Sequence, residues 1–387
     1  MNARLKNPFL ISGYVSPEYF CDRNKEKKAI LANIENGRNT ALISPRRMGK
    51  TGLIDHCFYS KTIQKEYNTF YIDIYSTGSL REFVLLFGKA IFEKLKGNGQ
   101  KFFDKFFRVI TSLRPAFKLD QITGNAVFDI GIGEIITPEV SIEQIFKYLE
   151  NADKPCIVAF DEFQQIAKYP EKNMEALLRS HIQRCNNARF IFSGSEQHMM
   201  QDIFLKSSRP FYQSVSFVDL QPIALYEYTA FVEKHFSKND KQLDKNTIEW
   251  VYNSFDGHTW YMQTIFNAIY SYTGVGETVT DQIVKSSVKD TVGIYQNAYK
   301  RILSDLTERQ KELLIAIAKE RKATEITSAA FIKKHGLQSS SSVQSAIKTL
   351  LVKEIVVKRD KTYMVDDKFL RIWIENEYGP GYDFAIR

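Results

Sequence analysis

Residues 44–51 have the residue types and the spacing that are typical of a loop that binds phosphate groups. Their sequence, SPRRMGKT, fits the pattern G-x-x-x-x-G-K-S/T except that Ser44 stands at the first glycine. An apolar run, residues 40–43, precedes the loop, and apolar residues at helical spacing follow it. Backbone N–H groups of such a loop, with the positive end of the following helix, attract a polyphosphate. We therefore expect Lys50 to reach the β- and γ-phosphates and Thr51 to offer its hydroxyl to Mg²⁺.

A second motif supports the first, because a Gly-Lys-Thr triplet alone also fits an ordinary strand, turn and helix. Residues 156–162 read CIVAFDE, an apolar strand that ends in two carboxylates. An acidic residue at a strand end helps to hold Mg²⁺ in phosphoryl transfer, which is the role we predict for Asp161. The neighbouring Glu162 is then the candidate general base, which takes a proton from the attacking water. Each motif alone could be a structural cap, but together they indicate nucleotide binding.

The elements that must position these residues alternate between strand and helix through residues 40–195. Such alternation predicts an α/β fold with a parallel sheet in a three-layer arrangement. In such sheets, ligands lie at the carboxyl ends of the strands. Residues 44–51, 161–162 and 193–195 all follow predicted strands at that end. We therefore expect the three segments to meet at one edge of the sheet.

On these motifs the chain resembles the archaeal-type and bacterial AAA+-related ATPases of the signal-transducing (STAND-like) group. Their Walker A loop reads Gly-Pro-Arg-Arg-x-Gly-Lys-Thr, from which only Ser44 departs, and the strand ending in Asp161 corresponds to their Walker B motif. The resemblance extends from about residue 20 to about residue 374. It implies an additional-strand P-loop core, a helical lid, a C-terminal winged helix, and ATP with Mg²⁺ as cofactors. The implied nucleotide-binding residues are Arg23, Ser44, Pro45, Arg46, Arg47, Met48, Gly49, Lys50, Thr51, Gly52 and His258.

The resemblance also implies individual roles, each with a structural alternative. Arg23 would line the adenine pocket, or would simply begin a surface helix. Ser195, with Ser193 at the same strand end, would sense the γ-phosphate, or the strand would merely turn there. Arg209 would be an arginine finger for a neighbouring subunit, although a surface salt bridge is the favoured alternative. His258 would contact a phosphate from the lid, or would cap a helix.

The pattern of elements predicts four segments along the chain. They are an N-terminal lead-in (1–20), a P-loop ATPase core (21–218), a helical lid (219–295) and a winged-helix domain (296–387). Within the predicted core, residues 102–107 are expected to form a helix with an aromatic face toward the protein core, and residues 127–133 a strand or hairpin.

The C-terminal segment has the order of a winged helix, which is three helices followed by a hairpin. Thr307 begins a capping box, Thr327 begins a short second helix, residues 339–342 cap a third, and residues 356–365 form the hairpin. Residues 296–387 hold 17 Lys/Arg and 12 Asp/Glu, a net 17 − 12 = +5 of the total +8. Double-stranded DNA is thus a candidate partner for residues 339–365, although winged helices also bind proteins or act as autoinhibitory modules. The side chains available for DNA are Gln344, Ser345, Lys348, Lys358, Arg359 and Lys361.

Composition favours a multidomain cytoplasmic protein. The 387 residues are 44% hydrophobic, and no apolar run approaches the roughly 18 residues that would span a membrane. The N-terminus has no secretory pattern. The four cysteines lie far apart, which suits buried thiols in a reducing compartment. No membrane contact is therefore expected.

We predict an ATP-binding and ATP-hydrolysing AAA+-like switch that couples nucleotide state to the winged helix. Two alternatives stay open. One is a nucleotide-gated scaffold with little turnover that acts through a protein partner or a homo-oligomer. The other is a regulator whose DNA affinity ATP controls. The motifs do not distinguish ATP from GTP.

Overall fold

The computed structural model describes residues 5–95, 108, 110, 117–119, 126–128 and 137–379, and gives only the backbone at 95, 117–119 and 126–128. The chain divides into two compact units. The first comprises residues 12–223, and the second joins residues 5–11 to residues 224–379. The expected helix at 102–107 lies outside the described residues.

Seven strands of the first unit are described. They are β1 (Thr40–Ile43), β2 (Asn68–Asp73), β3 (Phe117–Leu119), β4 (Ala126–Phe128), β5 (Cys156–Asp161), β6 (Ala188–Gly194) and β7 (Ser216–Asp219). Five of them form a parallel sheet in the order β2-β5-β6-β1-β7. Because β6 lies between β1 and β5, an additional strand separates the loop from the two carboxylates, as predicted. β3 and β4 pair antiparallel, so residues 127–128 lie in a hairpin strand, while 129–133 are outside the described residues.

Helices cover both faces of this sheet, which confirms the three-layer α/β prediction. They are α1 (Asn24–Glu35), α2 (Lys50–Phe58), α3 (Lys61–Glu66), α4 (Leu80–Leu95), α5 (Pro138–Glu150), α6 (Met174–Arg184) and α7 (Gln197–Leu205), with 3₁₀ turns at Pro17–Tyr19 and Phe163–Lys168. One core packs α1, α2 and α3 against the sheet, and the other packs α4 to α7. Every residue of β5 is buried, as a central strand covered on both faces requires.

The second unit consists of helices and a small sheet. Its elements are α8 (Leu225–Ser237), α9 (Lys245–Ser254), α10 (Thr259–Tyr272), α11 (Asp281–Gly293), α12 (Gln296–Ser304), α13 (Glu308–Glu320), β8 (Ala323–Thr324), α14 (Ala329–His335), α15 (Ser340–Val352), β9 (Val356–Arg359), β10 (Thr362–Val365) and α16 (Lys368–Tyr378). No helix among the described residues is long and apolar enough to cross a membrane.

The winged-helix elements follow the local signals of the sequence. The capping box at Thr307 is present, with its backbone N–H donating to the Gln310 side chain at 3.1 Å. Ser339 caps α15, as expected. The second helix begins later than predicted, because Ser328 rather than Thr327 accepts the hydrogen bond that caps it. Strand β8, which pairs with β10, was not predicted from the sequence.

Residues 5–11 belong to the second unit although the chain that follows them belongs to the first. The ring of Phe9 is fully buried. Asn7 donates to the carbonyl of Asn267 at 2.9 Å, and Asn267 donates back to the carbonyl of Phe9 at 2.7 Å. The ring packs, with centroid distances of 5.6 to 6.0 Å, against Phe231, His235, Phe236, Phe266 and Tyr270. The backbone therefore connects the two units twice, after residue 11 and after residue 223.

We expect Phe9→Ala to lower the free energy of unfolding of the second unit by about 3–5 kcal/mol, because it leaves a cavity in a fully buried aromatic cluster. Urea unfolding monitored by tryptophan fluorescence measures this, since Trp250, Trp260 and Trp373 all lie in that unit. Ile11→Ala is the matched control, because Ile11 belongs to the same segment but is 42% exposed. Equal unfolding midpoints for the two variants would contradict the anchoring role of Phe9.

Candidate functional site

The loop between β1 and α2 contains two residues with a left-handed backbone. Gly49 directly precedes α2 and has φ +92°, a left-handed conformation that favours glycine. Arg47 is also left-handed, with φ 67°. Ser44 is fully buried and is absent from the positive-φ residues, so its Cβ is accommodated without strain. The serine at the first glycine position is thus compatible with the loop.

Lys50 lies inside this loop. Its side chain is buried, and its ammonium donates to the carbonyls of Ser44 at 3.0 Å and Pro45 at 3.1 Å. Burial lowers the pKa of Lys50, while the negative charges of Glu162 and Asp161 oppose that shift. The amino group is therefore held between loop carbonyls and two carboxylates, at the first residue of α2.

Asp161 accepts hydrogen bonds on both carboxylate oxygens. Thr51 Oγ1 donates to Asp161 Oδ2 at 2.9 Å, and the hydroxyl of Tyr71 donates to the same oxygen. The backbone N–H of Glu162 donates to Oδ1 at 3.0 Å. Burial and the nearby Asp161 raise the pKa of Tyr71, so its hydroxyl stays protonated and remains a donor. The two predicted metal-supporting residues are thus in direct contact.

Glu162 and Ser195 are also in contact, although they follow two different strands, β5 and β6. Glu162 Oε2 accepts from Ser195 Oγ at 2.7 Å, from Ser195 N at 3.4 Å and from Gln164 Nε2 at 2.5 Å. A Cβ at Gly194 would lie 2.4 Å from Gln164 Oε1 and 2.5 Å from Met200 Sδ, so a larger residue there would displace these side chains. Ser193 is fully buried, and its hydroxyl has no hydrogen-bond partner among the described residues.

Arg23 is a buried anchor of the loop. Its side chain is 3% exposed. The alternative interpretation, in which Arg23 begins a helix on the surface, required an exposed side chain. Its guanidinium donates to the carbonyl of Gln221 at 2.6 Å, to the carbonyl of Met48 at 3.3 Å and to Glu26 at 2.9 Å. These bonds join the loop to the chain segment that follows β7. An adenine contact by Arg23 stays a prediction.

The remaining predicted residues have different environments. Arg46 and Arg47 are exposed, Pro45 is partly exposed, and Met48 is buried. Gly52 lies so close to Phe20 that a Cβ would be 3.1 Å from the ring.

Arg209 belongs to the first unit and His258 to the second. Arg209 forms an ion pair with Glu175 of α6, the alternative favoured by the sequence. Burial raises the pKa of Glu175, and the charge of Arg209 opposes this. His258 belongs to the second unit, where it precedes α10 but makes no side-chain capping hydrogen bond. The finger and lid roles stay predictions.

The side-chain oxygen atoms of Thr51 and Asp161 are of the kind that binds Mg²⁺. Among the described residues, no group of three or more His, Cys, Asp or Glu side chains could hold a metal ion. Mg²⁺ is usually bound through one or two protein oxygens together with substrate phosphates, and it keeps several waters. Thr51 and Asp161 offer such oxygens at 2.9 Å from one another, so they fit a Mg²⁺–phosphate complex.

Two residues in contact with the candidate carboxylates, Tyr71 and Gln164, were not predicted from the sequence. Tyr71 pairs with Ala159 in the β2–β5 register, two residues before Asp161. That register is not visible in the sequence, so no local signal pointed to Tyr71. Gln164 lies two residues after Glu162. Its closeness in sequence to the predicted carboxylates is a signal that could have pointed to it.

The parallel sheet with its additional strand, the loop after β1 and the two carboxylates after β5 form a P-loop type of fold, and a winged helix follows it. Residues 20–265 match the family model described as "ATPase domain predominantly from Archaea", and the chain belongs to this family. Residues 297–376 match the model described as "Probable winged helix domain".

Solved structures share the fold. A Walker-type ATPase of Pyrococcus abyssi has a TM-score of 0.64 at 18% identity, covering 95% of this chain and 99% of its own. The Aeropyrum pernix ORC2 protein, in ADPNP–ADP complexes, has a TM-score of 0.59 at 13% identity, covering 95% and 96%. The Aeropyrum pernix ORC1 protein, in complex with DNA, has a TM-score of 0.53 at 14% identity, covering 96% and 97%. No curated protein sequence matches the chain.

Proposed function

We propose that this protein binds ATP with Mg²⁺ at residues 44–52 and hydrolyses it. The observation that carries the proposal is the convergence of three strand ends, which brings Thr51 to Asp161 and Ser195 to Glu162 through hydrogen bonds of 2.9 and 2.7 Å. Family membership and the nucleotide complexes of the ORC2 neighbour support ATP as the ligand.

Each residue has a distinct part in this proposal. Bound MgATP supplies the γ-phosphoryl group and the metal charge that neutralises its oxygens. Lys50 carries a positive charge inside the loop, where it stabilises β- and γ-phosphate oxygens. Thr51 and Asp161 provide metal-facing oxygens. Ser195 stands beside Glu162, which places a hydroxyl donor next to the candidate base.

Glu162 suits the role of general base because its two oxygens differ. Oε2 accepts three hydrogen bonds, from Gln164 and Ser195. The described residues donate no hydrogen bond to Oε1, so that oxygen can orient a water and take its proton. Gln164 and Ser195 thereby fix the orientation of the carboxylate.

We expect the purified protein to hydrolyse ATP only in the presence of Mg²⁺, with excess EDTA reducing phosphate release to background. Steady-state phosphate release with ATP or GTP, with and without EDTA, measures this. Tight ATP binding without turnover would contradict the proposed hydrolysis and would favour the nucleotide-gated scaffold. Absence of nucleotide binding would contradict both.

The second candidate function is a regulator in which bound ATP controls the affinity of the winged helix for DNA. The six winged-helix side chains expected to contact DNA are all exposed, on α15 and on the hairpin of β9 and β10. The structural neighbour ORC1 was solved in complex with DNA. Adding duplex DNA to the hydrolysis assay at low and high salt tests this candidate, because phosphate contacts weaken as salt rises. Turnover that DNA leaves unchanged at both salt concentrations points instead to a protein partner.

A further inference from the structure

Tyr71 reaches the metal-facing carboxylate from a different strand. Its hydroxyl donates to Asp161 Oδ2 and lies 3.4 Å from Thr51 Oγ1. Strands β2 and β5 are parallel neighbours, and Tyr71 lies opposite Ala159, two residues before Asp161. To contact Asp161, the tyrosine ring must therefore lean toward the carboxyl ends of the strands. The oxygens of Tyr71, Thr51 and Asp161 therefore form one compact cluster.

The three donors to Asp161 are not equivalent. The Glu162 N–H belongs to the next residue of the same chain segment, so it constrains the carboxylate only locally. Thr51 is itself a candidate metal ligand, so a bound metal would also occupy its oxygen. Tyr71 has no predicted contact with nucleotide or metal, and it is the donor whose position does not depend on them.

We infer that Tyr71 is a positioning residue for the metal site, which holds Asp161 Oδ2 in the orientation that Mg²⁺ requires. This inference rests on the proposed function. Residues that donate hydrogen bonds to a metal-binding carboxylate fix its orientation, and their loss typically weakens metal affinity or activity about 10- to 100-fold. Without the phenol, Asp161 keeps only the bond from Thr51 and the local backbone bond, and the carboxylate can rotate.

Metal affinity tests the inference without measuring turnover. Mn²⁺ is titrated into protein saturated with ADP, and free Mn²⁺ is followed by electron paramagnetic resonance. We expect Tyr71→Phe to raise the Kd for Mn²⁺ by about 10-fold or more. Its ADP affinity in EDTA is expected to stay within about twofold, since loop contacts to phosphate do not involve Tyr71.

Tyr67→Phe is the matched control. Tyr67 packs against the same core as Tyr71, but its hydroxyl donates neither to Asp161 nor to Thr51. Unchanged or tighter Mn²⁺ binding by Tyr71→Phe would overturn the inference, and so would an equal loss of ADP affinity in EDTA. A wild-type protein that binds no ADP would instead contradict the proposed function.

Discussion

Lys50→Ala is expected to lower ATP affinity by about 10- to 100-fold and to remove measurable hydrolysis. A hydrogen bond to a charged group contributes roughly 1.5–3 kcal/mol, and Lys50 is the buried cation of the loop. Fluorescent-nucleotide titration measures the affinity, and phosphate release measures turnover. Lys50→Met should behave in the same way, because it keeps much of the side-chain volume and removes the ammonium group with its charge and its hydrogen-bond donors.

Lys61→Ala is the control for Lys50→Ala. It also removes one lysine from the first unit, at the first residue of α3, where the side chain is exposed. We expect wild-type affinity and turnover from it. Retention of wild-type ATP binding by both Lys50 variants would exclude residues 44–52 as the phosphate-binding loop. Circular dichroism of each variant establishes that the sheet remains folded.

Glu162→Gln is expected to reduce kcat by about 10²- to 10⁴-fold, the usual contribution of a general base. ATP affinity should change by less than about threefold, because the amide has the shape of the carboxylate and the phosphate contacts stay in place. Single-turnover hydrolysis and nucleotide titration separate the two quantities. The variant therefore distinguishes loss of chemistry from loss of binding.

Glu196→Gln is the matched control for that variant. Glu196 follows β6 as Glu162 follows β5, but its carboxylate forms an ion pair with Lys168 and does not contact Glu162 in the described structure. The same change of charge and shape there should leave kcat unaffected. If both variants lose turnover equally, general electrostatics rather than proton transfer by Glu162 explains the effect. If neither loses it, Glu162 is not the base.

The buried position of Arg23 suggests how the loop is connected to the rest of the chain. Its guanidinium bonds both to Met48 in the loop and to Gln221, two residues before the first unit ends at residue 223. The aromatic anchoring of Phe9 makes a second connection point at residues 11–12. The hydrogen bonds of Arg23 tie the loop to the chain segment that ends the first unit.

Much of the candidate site was predictable because its signals are local. The loop requires Gly49 for its left-handed backbone and Lys50 at the start of a helix, and both requirements appear in adjacent residues. Caps such as Thr307 and Ser339 are equally local, since each bonds to the third residue of its own helix. Alternating strands and helices also predicted the parallel sheet.

The structure decided the contacts that join residues far apart in sequence. Whether Arg209 pairs with Glu175 or remains available to a neighbour depends on how α6 and the segment after α7 pack. Tyr71 reaches Asp161 across 90 positions of sequence, and Phe9 reaches Phe266 in the second unit. Neither contact leaves a pattern of spacing that periodicity could reveal.

By itself, then, the sequence determined the motifs on which the proposed chemistry rests: a candidate phosphate-binding loop, two carboxylates after an apolar strand and a winged helix. These depend on backbone conformation and hydrogen bonding within a few residues, which neighbouring side chains specify. Only the tertiary structure decided which groups orient that chemistry. Strand order and register bring Tyr71 to Asp161 and Ser195 to Glu162, and both follow from the packing of the whole sheet.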